Sequence, residues 1–356
     1  MVLVYQIVIP ETQLSLTQQS FLPWKGETAM SELTLRSLYP EDLDQVAAIE
    51  SSLAGSPRRA FLEKRLAAAT AMPDSFITYA ALDDKQLAGY GFARLLEGEF
   101  GARSELAVLD TIGIAPDYQG KGIGKTVLSG IERRMRRKNI HTLLTEVIWS
   151  NNAMIRFFAS TGFALASGQI IERDTAPLSE EVAEIAPVKM DGKWRVHSGA
   201  GGNYYEKLAR DQVMVRSIKG EDLAAIDRID TKLTGLDRSA YYATKYREML
   251  DESGVRVSMV AEDNGIVTGF IMARVDFGEF GKVDKSAVID TIGVHPAYAG
   301  AGIGHALMAQ LLINLASLQV ETVRTKVEYE NFGLRNFLTR LGFKPSQRLL
   351  LTKDVN

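Results

Sequence analysis

The chain contains itself twice. Residues 98–124, GEFGARSELAVLDTIGIAPDYQGKGIG, return at 278–304 as GEFGKVDKSAVIDTIGVHPAYAGAGIG, with sixteen of 27 positions identical at an offset of 180. The same offset, without a gap, pairs Arg36 with Arg216, Arg58 with Arg238, Arg94 with Arg274, Asn151 with Asn331 and Gly162-Phe163 with Gly342-Phe343. One fold is therefore written twice, and 356 residues divide into two domains of ordinary size. The copies run over 31–174 and 212–356. Residues 1–30 stand outside the repeat as an N-terminal extension, and 175–211 form a connector. That connector is rich in turn signals, with a short helix expected at 178–185 and a hairpin near Asp191-Gly192.

Within each copy the hydrophobic period changes in a fixed order. LTLR and VMVR read as strands, followed by helical spacing at Leu43, Val46, Ile49 and at Leu223, Ile226, Ile229. Alternating strands follow, and Asp263-Asn264-Gly265 marks a hairpin between two of them. After the strand AVLDTIGI and a glycine-rich turn, Val127, Leu128, Ile131 and Met135 fall on one helix face, as do Leu307, Met308, Leu311, Leu312 and Leu315. The fold class is α/β: a mixed sheet flanked by helices, built twice.

Composition excludes several chemistries. The chain has no cysteine, so there is no disulfide framework, thiolate metal site or cysteine nucleophile, and any acyl transfer must be direct. His141, His197, His295 and His305 lack metal-ligand spacing, so no metal is expected. With 41 Lys+Arg against 44 Asp+Glu the net charge is −3, and no basic surface interleaved with aromatics points to nucleic acid. The opening MVLVYQIVIPETQLSL lacks a basic n-region and no 18 apolar residues run together. A cytoplasmic protein without a membrane span is the expectation.

The turn Gln119-Gly120-Lys121-Gly122-Ile123-Gly124 joins a strand to a helix, placing backbone N–H groups where they suit a phosphate. Gly124-Lys125-Thr126 ends like a P-loop, but position 119 is Gln where that motif needs Gly. A dinucleotide fingerprint fails as well, since Lys125 and Val127 stand where its third glycine belongs. A tight turn without a ligand is the remaining plain reading. Taken with the preceding strand, the spacing Gln119-x-x-Gly122-x-Gly124, and Asn151 before a helix ending at Gly162-Phe163, the pattern resembles the GNAT superfamily of acyl-CoA N-acyltransferases in both copies.

That resemblance implies acetyl-CoA or another acyl-CoA as co-substrate and an amine-bearing acceptor, either a small molecule or a protein lysine or N-terminus. It places the pantetheine arm against Ile112, Gly113 and Ile114 and the pyrophosphate on Gln119, Gly120, Lys121, Gly122, Ile123, Gly124 and Lys125. Asn151 and Phe158 would form the other wall. An alkylammonium must lose a proton before it can attack, so a carboxylate is expected nearby. Asp110 is the first candidate and Glu146 a weaker one. The family's usual general acid is a tyrosine four residues before Gly-Phe, where this chain has Phe158 and Leu338. Tyr118 or water is left to protonate the departing thiolate.

The copies differ where phosphate would bind, Gln119, Lys121 and Lys125 becoming Ala299, Ala301 and His305. The first copy is therefore expected to carry the chemistry and the second to support it. A monomer with an internal pseudo-dimer, or a homodimer, is the expected assembly. Trp149 is read as core or acceptor-cleft lining, and Glu50, Glu97 and Glu99 as acidic residues able to favour a cationic amine.

Overall fold

The computed structural model describes residues 33–54, 58–97, 105–176, 188–190, 193–195, 213–251, 257–277 and 285–356. The extension 1–30, the helix expected at 178–185 and Glu99 lie outside them. The first half comprises β1 (Thr34–Arg36), α1 (Leu43–Ala54), α2 (Arg59–Ala71), β2 (Phe76–Asp83), β3 (Gln86–Glu97), β4 (Glu105–Ile114), α3 (Ile123–Arg137), β5 (Thr142–Ile148), α4 (Asn152–Ser160), β6 (Ala164–Leu165) and β7 (Gly168–Asp174). The connector contributes β8 (Val188–Met190) and β9 (Lys193–Arg195), which pair antiparallel as the hairpin expected around Asp191-Gly192. The second half repeats the order as β10 (Met214–Ser217), α5 (Leu223–Thr234), α6 (Ser239–Asp251), β11 (Met259–Asp263), β12 (Ile266–Phe277), β13 (Lys285–Val294), α7 (Ile303–Ser317), β14 (Thr322–Glu328), α8 (Phe332–Arg340), β15 (Lys344–Pro345) and β16 (Arg348–Asp354).

Local chemistry explains where the first helices start. Asp42 accepts the Tyr39 amide at 2.8 Å and a two-pronged bond from Arg36 at 2.7 Å, closing the turn before α1. Asp222 does the same with Lys219 and Arg216 before α5. Val127, Leu128, Ile131 and Met135 of α3 are buried against the first sheet, as their spacing requires. Their counterparts on α7 are buried against the second.

The two sheets do not follow the two repeats. The first runs β1-β2-β3-β4-β5-β16-β6 and the second β10-β11-β12-β13-β14-β7-β15. Each half gives its last strand to the other. Seven residues of β16, Arg348–Asp354, pair antiparallel with Ile148–Thr142 of β5, and seven of β7 pair with β14. A Cβ on Gly168, the first residue of β7, would stand 2.8 Å from the Val327 carbonyl oxygen, so the crossing strand enters where only glycine fits. The contiguous segments 31–174 and 212–356 are thus sequence repeats, and each sheet needs both.

Because each sheet is completed by a strand of the other half, the halves are expected to unfold together. Denaturant unfolding followed by circular dichroism should show a single transition for both halves, and deleting 346–356 should lower the stability of the first half, because β5 loses its partner. Two separate transitions, or a first half unaffected by the deletion, would contradict the exchange.

Candidate functional site

The site begins where two strands part. β4 and β5 are parallel neighbours only at Ala107↔Leu143 and Val108↔Leu144. Beyond them β4 stays paired with β3 through Ile112↔Gly91, Gly113↔Tyr90 and Ile114↔Gly89, while its β5 side opens into a groove. Thr145 Oγ1 bridges the start of the gap by donating to the Leu109 carbonyl at 3.0 Å. Backbone groups along the open edge have donors and acceptors to offer a ligand. The β3–β4 register shifts between Phe92 and Ala93, which face Thr111 and Leu109, so Asp110 is the extra residue of a bulge. Asp290 occupies the same position between Met272 and Ala273 in the second half.

The groove leads to the glycine turn. Gly120 and Gly122 have φ of 75° and 83°, the left-handed region, and Gly122 caps α3. A Cβ on either would meet nothing within 4 Å, so the loop borders open space at a helix N-terminus. Gln119 Nε2 donates to the Ile114 carbonyl at 3.2 Å, tying the loop to the strand end. Lys121 lies over the Tyr118 ring at 5.2 Å, and both Lys121 and Lys125 are exposed. Ile123 is buried in the core, and a Cβ on Gly124 would stand 3.0 Å from Phe157.

The second loop copies this backbone, with φ of 82° at Gly300 and 80° at Gly302, but not its side chains. Ala299 offers no tie to the strand. His305 stacks edge-on against Phe337 at 5.3 Å, and burial, reinforced by the nearby Arg340 charge, lowers its pKa. Its imidazole is therefore neutral at pH 7, where the first half has an exposed lysine.

The side chains singled out in the sequence are placed differently from one another. Asn151 is exposed and caps α4, accepting from the Met154 amide at 3.1 Å. Phe158 is turned into the core, 2% exposed and 4.9 Å from Phe163, while its neighbour Phe157 lies against Gly124. Tyr118 donates to Asp83 at 3.0 Å, and that hydrogen bond raises its pKa. Glu146 does not face solvent: it accepts from Arg324 of the second half at 2.5 Å and lies 3.7 Å from Arg348. Trp149 is 59% exposed, its amide bonded to the Gln347 carbonyl. Asp110 is buried at the bulge, with Oδ2 2.7 Å from Arg94 and 3.4 Å from Arg65, while Oδ1 receives no hydrogen bond among the described residues.

Beside it lies a network that the sequence reading passed over. Glu50 is buried and accepts from Arg58 at 2.9 and 2.5 Å, from Thr111 at 3.0 Å and from the Tyr90 hydroxyl. Burial first, and then the Glu50 charge, push the Tyr90 pKa well up, so the hydroxyl stays a donor. Tyr90 lies directly beneath β4, since a Cβ on Gly113 would stand 2.5 Å from its ring. The second half gathers the matching groups, Asp230, Arg238, Thr291 and Tyr242 with Phe270 at the Tyr90 position, more loosely: Arg238 stands 3.5 Å from Asp230, and the Tyr242 hydroxyl makes no hydrogen bond among the described residues. The hydroxyl comes from the helix there and from the strand here. The repeat of Arg58 as Arg238 and Arg94 as Arg274 was the available signal.

Tyr90→Phe should leave a buried carboxylate oxygen short of a donor and cost about 1–3 kcal/mol in denaturant unfolding. Adding Leu62→Tyr, which copies the Tyr242–Phe270 arrangement, should recover part of it. A neutral Tyr90→Phe would show that this network does not hold the helix to the strand.

Comparison with known proteins agrees with this geometry. A model of the acetyltransferase (GNAT) family matches residues 43–163 and again 223–343. A mycothiol acetyltransferase of Amycolatopsis mediterranei is 30% identical over 154 residues, covering 40% of this chain, which spans half the length of that relative. The ribosomal protein bS18-alanine N-acetyltransferase of Escherichia coli K12 is 26% identical over 147 residues, 41% of this chain and 89% of that enzyme. In structure, a tandem GNAT protein from the clavulanic acid biosynthesis pathway superposes over 91% of this chain and 99% of its own with a TM-score of 0.60, at 16% identity.

Proposed function

The chain belongs to the GNAT acetyltransferase family, and from that premise we propose that its first half transfers an acyl group, in the simplest case acetyl, from acyl-CoA directly to a primary amine. The observation that carries this is the β4–β5 split running into a left-handed glycine loop at the start of α3, furnished with Gln119, Lys121 and Lys125 only in the first half. Residues Gln119–Lys125 would hold the pyrophosphate and Ile112–Ile114 the pantetheine arm. Acyl-CoA would supply the activated thioester. Backbone donors on the rigid open edge of β4 would hold its carbonyl where charge develops, an effect of several kcal/mol in a dry site.

The chain's own part is to position the amine and take its proton. Asp110 suits the second task because Arg94 and Arg65 anchor one oxygen while the other receives no hydrogen bond among the described residues. Tyr118 is given no acid role, since its proton is already shared with Asp83. Glu146, held by two arginines of the second half's sequence, is assigned to the interface rather than to proton transfer. One relative is named for the small molecule mycothiol and another for N-acetylation of a ribosomal protein's alanine, so a small amine and a protein N-terminus are the acceptor classes to screen first. A second reading, an acyl-CoA-binding module without turnover, draws on Phe158 and Leu338 at the family's acid position.

Calorimetric titration of acetyl-CoA should show one site, abolished by Gly122→Trp and retained in Gly302→Trp. No binding to the wild type would overturn the transferase reading. With an accepted amine, Asp110→Asn should lower kcat roughly a hundredfold with little change in acetyl-CoA binding. An unchanged kcat would remove Asp110 as the base, and binding without turnover for every amine would favour the second reading.

A further inference from the structure

The first sheet separates two faces. α1 and α2 pack on the face that carries Tyr90 and Phe92, with Asp110 held by Arg65 of α2, while α3 and α4 pack on the other through Val127, Ile131 and Phe158. An amine that gives its proton to Asp110 comes from the first face, and an acyl donor seated by the loop at the start of α3 comes from the second. On that second side the outer surface of α3 is basic along its length. Lys121 and Lys125 are exposed at the loop, Arg133, Arg136 and Arg137 are exposed further along, and Arg134 is half-buried beside them. Arg133 and Arg137 stand roughly 16 and 22 Å along the axis from Gly122, beyond the length of the single nucleotide that ends coenzyme A. Nearby acids are already engaged: Glu132 accepts from Lys353 at 2.5 Å and Asp74 from Lys138 at 3.1 Å. Arg136 donates to the Asn356 carbonyl at 3.1 Å, whereas Arg133, Arg134 and Arg137 make no ion pair among the described residues. A helix dipole favours cations in the last turn, but it acts equally at the end of α7, where the matching residues are Ile313, Asn314, Ala316, Ser317 and Leu318. The basic stripe is present with the furnished loop and missing with it.

We infer that this stripe is a docking face for an acidic protein that delivers the acyl group on a phosphopantetheine arm into the same groove. The arm is what coenzyme A and such a carrier share: a thioester and amides for the open edge of β4, and a phosphate for the loop. A carrier adds a folded acidic surface immediately outside that phosphate, where the stripe begins. Arg133 and Arg137 are one helical turn apart, the spacing at which carboxylates on a partner's helix also repeat. Complementary charge of this kind steers encounter and fixes register, which places the arm over the groove. Nucleic acid is a poorer occupant, because the exposed side of α3 carries no aromatic residue on which a base could stack. Transfer itself is unchanged: the amine nitrogen bonds to the acyl carbon and the C–S bond breaks. The carrier's thiol leaves with one of the two protons that the ammonium loses, and the other reaches solvent through Asp110. The thioester chemistry rests on the acyl-transfer reading above, whereas docking is tested by binding alone.

The full-length protein would be titrated calorimetrically with a bacterial acyl carrier protein in its holo form, with the apo form that lacks the arm, and with phosphopantetheine, coenzyme A and a short single-stranded RNA. The holo carrier should compete with coenzyme A and bind at least about tenfold tighter than either the apo form or phosphopantetheine, an advantage that shrinks as salt is raised. Arg133→Glu with Arg137→Glu should weaken the holo carrier at least about tenfold and change coenzyme A binding by less than about twofold. Arg133→Gln with Arg137→Gln should give a smaller loss in the same direction, and it replaces the charge reversal if that variant does not fold. Apo and holo forms binding alike, a holo carrier no better than phosphopantetheine, an equal loss of coenzyme A in the double variant, or tighter binding of the RNA would overturn the docking face. Acetyl transfer from acetyl-CoA without any preference for the holo carrier would overturn the docking face alone. Selective holo-carrier binding, with no transfer from either donor to any amine, would leave the face standing and sink the transferase reading instead.

Discussion

The antiparallel ladder between β5 and β16, answered by the ladder between β14 and β7, is the constraint on which the rest of the molecule depends. Seven consecutive residues of each strand are committed, and a slip of one would turn every side chain to the opposite face. This register sets Leu350 opposite Glu146 and Arg348 opposite Ile148, and it brings Arg324 of β14 within a hydrogen bond of the first half's carboxylate. Neither sheet is complete without the other segment. A duplication that would otherwise yield two separate sheets yields two shared ones, joined by ion pairs from Glu146 to Arg324 and Arg348.

The groove depends on how β4 is held on its other side. Two rungs to β5 hold its lower part, and the bulge at Asp110 bends the strand away above them. The bulge also explains a buried carboxylate in a sheet: the extra residue turns its side chain toward Arg94 and Arg65, which compensate the charge. Above the bulge, Tyr90 supports Gly113 from below, and Gln119 ties the loop to Ile114. Backbone geometry alone makes two such grooves, since the second half has the same bulge and the same left-handed glycines. Side-chain chemistry separates them, with exposed cations at one loop and alanines and a neutral histidine at the other.

Local features were legible in the sequence and long-range ones were not. The repeat, the buried face of α3 and the glycine turn follow from spacing within a few residues, and each lies where the pattern put it. The strand exchange was hidden because alternation specifies which face of a strand is buried, not which of two similar sheets receives it: IIERD of β7 and LLLTKD of β16 would fit either. Glu146 stood as a weaker candidate for the base because its partner Arg324, 178 positions away in the chain, leaves no trace in the local spacing. Phe157 and Phe158 are neighbours on one helix, and the rotation that sends Phe158 inward is fixed by the contact between α4 and the start of α3. Glu50 looked like one more acidic side chain because its three donors come from α2, β3 and β4 or their borders.

The central claim is that one of two equivalent grooves, the first, holds the acyl carrier. Hydrogen–deuterium exchange of the full-length protein with and without coenzyme A measures this most directly, because the two loops report separately in one experiment. Slowed exchange across 112–126 with no change across 292–306 is the result this account requires. Protection of 292–306 alone, or of both loops equally, would contradict it.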